Sequence, residues 1–195
     1  MRKNGKKETD TIRAFIAIDT TDEAKRALEE TALELRDRDC RVTWVKPDKM
    51  HLTVKFLGDI DEEQADELGT SLDRVAAGFA PFDMALEGVG AFPNPKRARV
   101  VWVGIEEDPL LVALHGKIES AAEAVGVERD PRSFRPHLTL GRVKELPKRS
   151  GLPGRIMDAT FERLIVPVEE LILFRSELTP KGPIYTALHR ARLGG

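Results

Sequence analysis

The sequence predicts an α+β fold of two similar lobes, in which antiparallel-rich sheets line a central cleft and helices cover the outer faces. Three observations support this. Short apolar stretches typical of strands alternate with amphipathic stretches typical of helices, the order of strand, helix and hairpin occurs twice, and each half contains one H-L-T strand, at residues 51–53 and 137–139. The two motifs lie too far apart for a solenoid repeat, so two facing lobes are the natural geometry.

The first half of the chain contains the clearest helical pattern. Leucines and alanines at 24, 27, 28, 32 and 35 recur at helical spacing among charges, which predicts a helix over residues 22–38 that follows a strand at 13–18. Strands are predicted at 42–45 and 51–57, with Pro47 and Asp48 in a turn between them. Together these two strands suggest a hairpin.

The remaining elements follow from the same patterns. Helices are predicted over residues 61–77 and 108–125, strands over 82–89, 98–105, 137–143, 161–166, 171–177 and 184–192, and a loop over 147–154.

Composition limits the classes of protein that fit. Apolar residues make up 41% and charged residues 33% of 195 residues, which is typical of a globular chain. A net charge of −2 and a pI near 6.1 argue against a protein that coats nucleic acid with a broad basic surface. No apolar run reaches membrane-spanning length.

The single cysteine, Cys40, excludes an internal disulfide and favours a reducing compartment, so we expect a cytoplasmic protein. The first ten residues lack the apolar stretch of a signal peptide. We expect residues 1–10 to be a flexible tail, residues 11–195 to form a single bilobal domain, and the protein to be a monomer.

The paired H-L-T motifs are the strongest functional signal. Side chains alternate along a strand, so His51 and Thr53 should share one face, as should His137 and Thr139, while Leu52, Val54 and Phe56 face the core. Two histidines facing one substrate can act as acid and base in the same turnover. Threonine hydroxyls beside them can donate hydrogen bonds to phosphoryl oxygens.

Other classes of function fit the sequence less well. A lone strand histidine is usually structural, and His115 and His189 lie outside the motif, so we assign them structural roles. A catalytic zinc site needs about three protein ligands, and no HExxH motif occurs. A non-catalytic module that binds RNA ends would favour arginine and aromatic residues over paired histidines.

Five segments together resemble the 2H phosphoesterases, and within them the RNA 2',3'-cyclic phosphodiesterases, also known as 2'-5' RNA ligases. These segments are RAFIAI from residue 13, HLTVKFLGD from 51, GAFPNPKRARVVWVGI from 90, FRPHLTLGR from 134 and FRSELTPKGPIYTAL from 174. The resemblance spans nearly the whole chain, and two HxT motifs in this order and setting are specific.

The resemblance implies a bilobal fold with pseudo-twofold symmetry and an enzyme that needs no metal or cofactor. The implied substrate is RNA with a 2',3'-cyclic phosphate end, or a cyclic nucleotide, opened to a 2'-phosphate. His51 would protonate the departing 3'-oxygen, His137 would activate the attacking water, and Thr53 and Thr139 would steady the phosphoryl oxygens. Ligation of RNA through a 2'-5' linkage is the alternative activity.

Three further residues are candidates for substrate binding. Arg142 matches a family position thought to contact phosphate, but simple alternation places it on the face away from His137, so either a bulge at Gly141 or the strand end must bring it back. Arg135 has the same parity as His137. Tyr185 lies in the family-like PKGPIY segment, where a place at the cleft edge and a packing role are equally open.

Overall fold

The computed structural model describes residues 11–180 and 182–194. Its strands are β1 (Ile12–Ile18), β2 (Arg41–Trp44), β3 (Leu52–Ile60), β4 (Phe82–Phe92), β5 (Val100–Ile105), β6 (His137–Glu145), β7 (Leu164–Val168), β8 (Glu170–Thr179) and β9 (Gly182–Arg192). Its α-helices are α1 (Asp22–Glu34), α2 (Glu62–Ala76), α3 (Pro109–Ala124) and α4 (Leu152–Asp158). The tail predicted for residues 1–10 lies outside the described residues.

The three long helices begin at side chains that cap them. Thr21 accepts the N–H of Ala24 at the start of α1, and Asp61 and Gln64 form a reciprocal capping box at the start of α2. Asp108 accepts two backbone N–H groups before α3, where Pro109 occupies the first helical position. These caps explain why the predicted starts agree with the structure to within a residue.

Helix α1 ends earlier than predicted, at Glu34 rather than near residue 38. Asp37 accepts hydrogen bonds from the backbone N–H of Asp39 and from the hydroxyl of Ser150. Such local side-chain bonds compete with helix continuation, so the chain turns toward β2.

The strands form one antiparallel sheet of nine strands, consistent with the predicted α+β class. The order β7-β4-β5-β6-β3-β1-β8-β9 contains two four-stranded halves, and β2 pairs with β6 beside this path. A single residue pair, Leu52 with Leu138, joins the halves between β3 and β6. The two predicted sheets are therefore continuous, and their seam lies between the two H-L-T motifs.

Each helix packs against strands from the other half of the chain. Helix α1, from the first half of the chain, contacts the motif strand β6 of the second half, and α3, from the second half, contacts the motif strand β3 of the first. Helix α2 packs on β8 and β9, and α4 packs on β4. This pattern agrees with the pseudo-twofold arrangement expected from the repeat.

The predicted hairpin of residues 42–45 and 51–57 is wrong. Strand β2 pairs with β6, where Trp44 lies opposite Gly141 and Val42 opposite Val143. A Cβ at Gly141 would lie 2.8 Å from both the Trp44 ring and a Val42 methyl, so only glycine lets β2 approach this closely. Alternation of apolar residues identifies a strand but not its partner.

Part of the predicted loop at 147–154 belongs to helix α4, which the sequence analysis missed. Leu152 and Ile156 of α4 are buried in the core. Pro153 lies in the first turn, where a missing N–H costs nothing, so proline there marked a helix start rather than a loop.

Candidate active site

The two motif strands run antiparallel side by side and turn the same face to the cleft. Leu52 and Leu138 are paired and fully buried, so the residues on either side of each leucine point away from the core. His51 and Thr53 flank the first leucine and His137 and Thr139 flank the second, so all four side chains lie on the same side of this pair.

Each motif strand contains a β-bulge immediately after its threonine. Against β1, Ala17 pairs with Thr53 and Ile16 with Lys55, so Val54 is the extra residue. Against β5, Trp102 pairs with Thr139 and Val101 with Gly141, so Leu140 is the extra residue. A bulge adds one residue and inverts the alternation that follows it.

The bulges decide which side chains reach the cleft. Arg142, five residues after His137, pairs with Val100 and lies on the histidine face, as expected if Gly141 belongs to a bulge. Phe56, five residues after His51, pairs with Phe15 on the same face and is 60% exposed. The prediction that Phe56 faces the core is therefore wrong, because alternation fails at Val54. Lys55 takes the buried place instead.

His51 is surrounded by aromatic rings. Its imidazole stacks on Phe15 at 5.0 Å between ring centroids, meets Tyr185 edge-on at 5.4 Å and lies 6.0 Å from Phe174. Burial among these rings disfavours the imidazolium and lowers the pKa of His51 to about 4. The charge of Asp19 raises this pKa by less, and the charge of Lys25 lowers it further. This pKa leaves His51 mostly neutral at pH 7.

His137 is held by a backbone hydrogen bond. Its Nδ1 lies 2.7 Å from the carbonyl oxygen of Arg135, and a carbonyl can only accept, so Nδ1 bears the proton and Nε2 keeps a lone pair. Phe92 contacts the ring edge-on at 4.9 Å. Burial lowers the pKa of His137, the Arg135 carbonyl raises it, and the charge of Arg142 lowers it.

The two threonines are half-buried beside the histidines. Within residues 11–180 and 182–194, no side-chain hydrogen bond engages the hydroxyl of Thr53 or Thr139. Both hydroxyls are therefore free to donate to a ligand in the cleft.

Arg142, Arg135 and Tyr185 all lie at the cleft. The charge of Arg142 reaches both lobes, because it lowers the pKa of His137 and opposes the rise that burial causes in the pKa of Tyr185. The guanidinium of Arg135 lies over Phe92 at 6.0 Å, next to His137. Tyr185 contacts His51, which favours the cleft-edge alternative for this residue.

Sequence reasoning missed four residues at the site. Phe15 and Phe174 stack on each other beside His51, and Trp102 lies near His137 at 6.4 Å. Lys49 lies 6.0 Å from the Tyr185 ring and donates a hydrogen bond to the Pro183 carbonyl. The first three lie in or beside segments that look like buried strands, so only the bulges and the strand pairing reveal which of their faces meets the cleft.

His115 and His189 lie away from this face. His115, on α3, stacks on Phe134, and His189, on β9, lies 2.8 Å from a carboxylate oxygen of Asp73. In the part of the chain that the structure describes, no three His, Cys, Asp or Glu side chains cluster as metal ligands would. No helix there is long and apolar enough to cross a membrane.

Comparison with known proteins decides the family. The model of the family described as LigT like Phosphoesterase matches residues 18–102 and, a second time, residues 103–185. The chain belongs to the LigT-like phosphoesterases. The two matches divide the chain into successive halves, and each match contributes strands to both halves of the sheet. The predicted resemblance is confirmed.

Related proteins and their solved structures support the same family. The RNA 2',3'-cyclic phosphodiesterase of Thermotoga maritima is 35% identical over 184 residues, 94% of this chain and 97% of the relative. That of Archaeoglobus fulgidus is 36% identical over 178 residues, 91% and 98% of the two chains. The crystal structure of TT0787 of Thermus thermophilus superposes with a TM-score of 0.80 at 33% identity, covering 94% of this chain and 99% of that one. E. coli LigT complexed with 3'-AMP also gives 0.80, at 26% identity, covering 95% and 100%.

Proposed function

We propose that this phosphoesterase hydrolyses RNA 2',3'-cyclic phosphate ends to 2'-phosphates, using His51 and His137 as acid and base without a metal. The observation that supports this best is the pairing of Leu52 with Leu138, which brings the two motif strands side by side with their histidines on the same face. The activity named for the relatives from Thermotoga maritima and Archaeoglobus fulgidus points to the same chemistry.

His137 is the proposed base. Its Nδ1–H is bonded to the Arg135 carbonyl, so the lone pair of Nε2 is available to take a proton from water. The carbonyl also steadies the imidazolium that forms, because Nδ1–H then donates a charge-assisted hydrogen bond. Lowering of the pKa by burial keeps the free base neutral at pH 7.

His51 is the proposed acid, and it needs the substrate to become one. Its pKa of about 4 leaves it mostly neutral at pH 7. A phosphodiester anion placed against the ring favours the imidazolium and raises this pKa. The bound substrate therefore increases the fraction of His51 that can protonate the leaving group.

The reaction balances with these two groups. The oxygen of water attacks phosphorus while Nε2 of His137 takes its proton, the bond between phosphorus and the 3'-oxygen breaks, and His51 gives its proton to that oxygen. The products are a 2'-phosphate and a 3'-hydroxyl. Return of the proton from His137 to His51 through solvent restores the enzyme.

The remaining side chains bind the substrate in this proposal. Thr53 and Thr139 donate to the non-bridging phosphoryl oxygens, and Arg142 neutralises the charge that develops there. Arg135 contacts a flanking phosphate from its position over Phe92. Tyr185 packs against the terminal nucleoside, because its ring continues the aromatic wall beside His51.

Product analysis tests the proposal. A 2',3'-cyclic mononucleotide and a short RNA with a cyclic phosphate end are incubated in a strong chelator and followed by ³¹P NMR. We expect both to open to the 2'-phosphate at an undiminished rate. A 3'-phosphate product would overturn the direction of opening, loss of activity in chelator would overturn metal independence, and joining to an added 5'-hydroxyl RNA in place of hydrolysis would favour the ligase.

A further inference from the structure

A buried ion pair lies behind the active face. Lys55 and Glu119 have side chains only 2% and 6% exposed, and Lys55 Nζ lies 2.9 Å from Glu119 Oε2. The bulge at Val54 turns Lys55 into this site, away from the cleft. Desolvation makes a buried ion pair no better for stability than a well-packed apolar pair, so stability alone explains it poorly.

The pair holds the backbone of the segment that leads to the second motif. Lys55 Nζ donates to the carbonyl of Glu128 at 2.7 Å, and Glu119 Oε2 accepts the N–H of Asp130 at 3.3 Å. Both charges therefore bind residues 126–136, which connect α3 to β6. Since Lys55 belongs to β3, it fastens this segment to the strand that follows His51.

A second attachment lies closer to His137. The ring of His115 stacks on Phe134 with centroids 4.0 Å apart and planes 9° apart, and its Nε2 lies 3.5 Å from Glu119 Oε1. Phe134 precedes Arg135, whose carbonyl accepts the Nδ1–H of His137. The buried cluster is thus linked through one residue to the group that sets the tautomer of His137.

The backbone of the segment is also tied to β5, where Ile105 donates its N–H to the Pro136 carbonyl at 3.3 Å. The other side-chain contacts of the segment are local and exposed. Arg129 binds Glu123 and Ser120 of the adjoining helix, and Arg132 binds Asp130 within the segment itself. Neither reaches β3. Among these side-chain contacts, the one from Lys55 joins residues 126–136, which lead into the second motif strand, to β3, the first motif strand.

We infer that Lys55, Glu119 and His115 form a positioning cluster that fixes residues 126–136 so that the Arg135 carbonyl holds His137 in its base tautomer. This inference rests on the proposed function for the role of His137. The three residues do not touch the substrate and act through the segment alone.

The double variant Lys55→Met, Glu119→Leu tests the inference. It replaces the ion pair by apolar side chains of similar size, an exchange that is often neutral for stability, so a folded protein is expected. We expect kcat/KM to fall at least about tenfold, as for small misplacements of a catalytic group. The ¹⁵N spectrum should show that His137 is no longer fixed as the Nδ1–H tautomer.

Arg129→Met is the matched control, because it removes an exposed contact of the same segment with α3. It should keep both the rate and the tautomer of wild type. A double variant that melts near wild type and keeps its kcat/KM and tautomer would overturn the inference. If the double variant does not fold, the single variant Glu119→Gln, which keeps the shape of the cluster, gives the same two readouts.

The two proposals fail in different ways. Wild type that turns over no cyclic phosphate contradicts the proposed function, but the ¹⁵N spectra still report whether the cluster fixes the His137 ring. Wild type that is active, with a double variant that is equally active and has an unchanged tautomer, contradicts the cluster alone.

Discussion

At the scale of residues, two histidines in the same motif have different surroundings. His51 is enclosed by Phe15, Phe174 and Tyr185, whereas His137 donates a hydrogen bond to a carbonyl. Burial among the rings therefore lowers the pKa of His51, whereas a hydrogen bond fixes the tautomer of His137. The sequence treats the motifs alike, so this asymmetry could not be read from it and emerges from side chains distant in the chain.

Loss of either histidine should be severe for activity and mild for folding. We expect His51→Gln and His137→Gln each to lower kcat by about a hundred- to ten-thousand-fold, the usual contribution of a general acid or base, with a melting temperature close to wild type. His189→Gln is the matched control, since His189 lies on β9 against Asp73, and it should keep full activity. A well-folded His137→Gln variant with a normal rate would refute its role.

The pH profile of kcat/KM should be bell-shaped, with its maximum below pH 7. The productive free enzyme has His51 protonated and His137 neutral, and this form is most abundant midway between the two pKa values. Because burial lowers the pKa of His51 to about 4 and that of His137 below 6.5, the maximum falls well below pH 6.5. A flat profile, or a maximum above pH 7, would argue against this pair.

At the scale of elements, the two bulges determine which side chains of the motif strands lie on the histidine face. Each adds a residue after the threonine, so that Phe56 and Arg142 join the histidine face while Lys55 and Gly141 turn to the core. The glycine behind Arg142 gave a sequence signal for one bulge. Nothing in HLTVKF signals the other, since Lys55 looks like an ordinary exposed residue.

Substitution of Gly141 tests the bulge in β6. Gly141→Ala would bring a Cβ to 2.8 Å from Trp44 and Val42, so we expect a loss of about 1–3 kcal/mol in the free energy of unfolding, as for overpacking. A lower kcat/KM should accompany it, because Arg142 moves with the bulge. Gly116→Ala, on α3 with open space around the new Cβ, should change neither activity nor β6. Equal, small effects of both substitutions would contradict the account.

Local sequence patterns predicted most helices and strands better than they predicted which strands pair with each other. The caps at Thr21, Asp61 and Asp108 fix the helix starts to within a residue of the predicted ones, and both motif strands were predicted. The pairing of β2 with β6 and the helix α4 were missed, because strand partners and burial depend on residues far along the chain. Propensity and alternation contain no such long-range information.

At the scale of the whole molecule, the site lies on the seam between the halves. The family model matches the chain twice, over residues 18–102 and 103–185, and each matched stretch contributes strands on both sides of this seam. Each half of the sheet supplies one motif histidine, so the proposed catalysis requires the seam to be intact. The monomeric state and the cytoplasmic location remain predictions.

The central claim is that both imidazoles meet one phosphate. A titration with a nucleoside 2'-phosphate, the proposed product, followed by NMR of the His51 and His137 rings, tests it most directly. We predict that both rings shift with the same Kd and that the pKa of His51 rises from about 4, while the rings of His115 and His189 stay unchanged. A response from only one of the two motif histidines, or from neither, would contradict the claim.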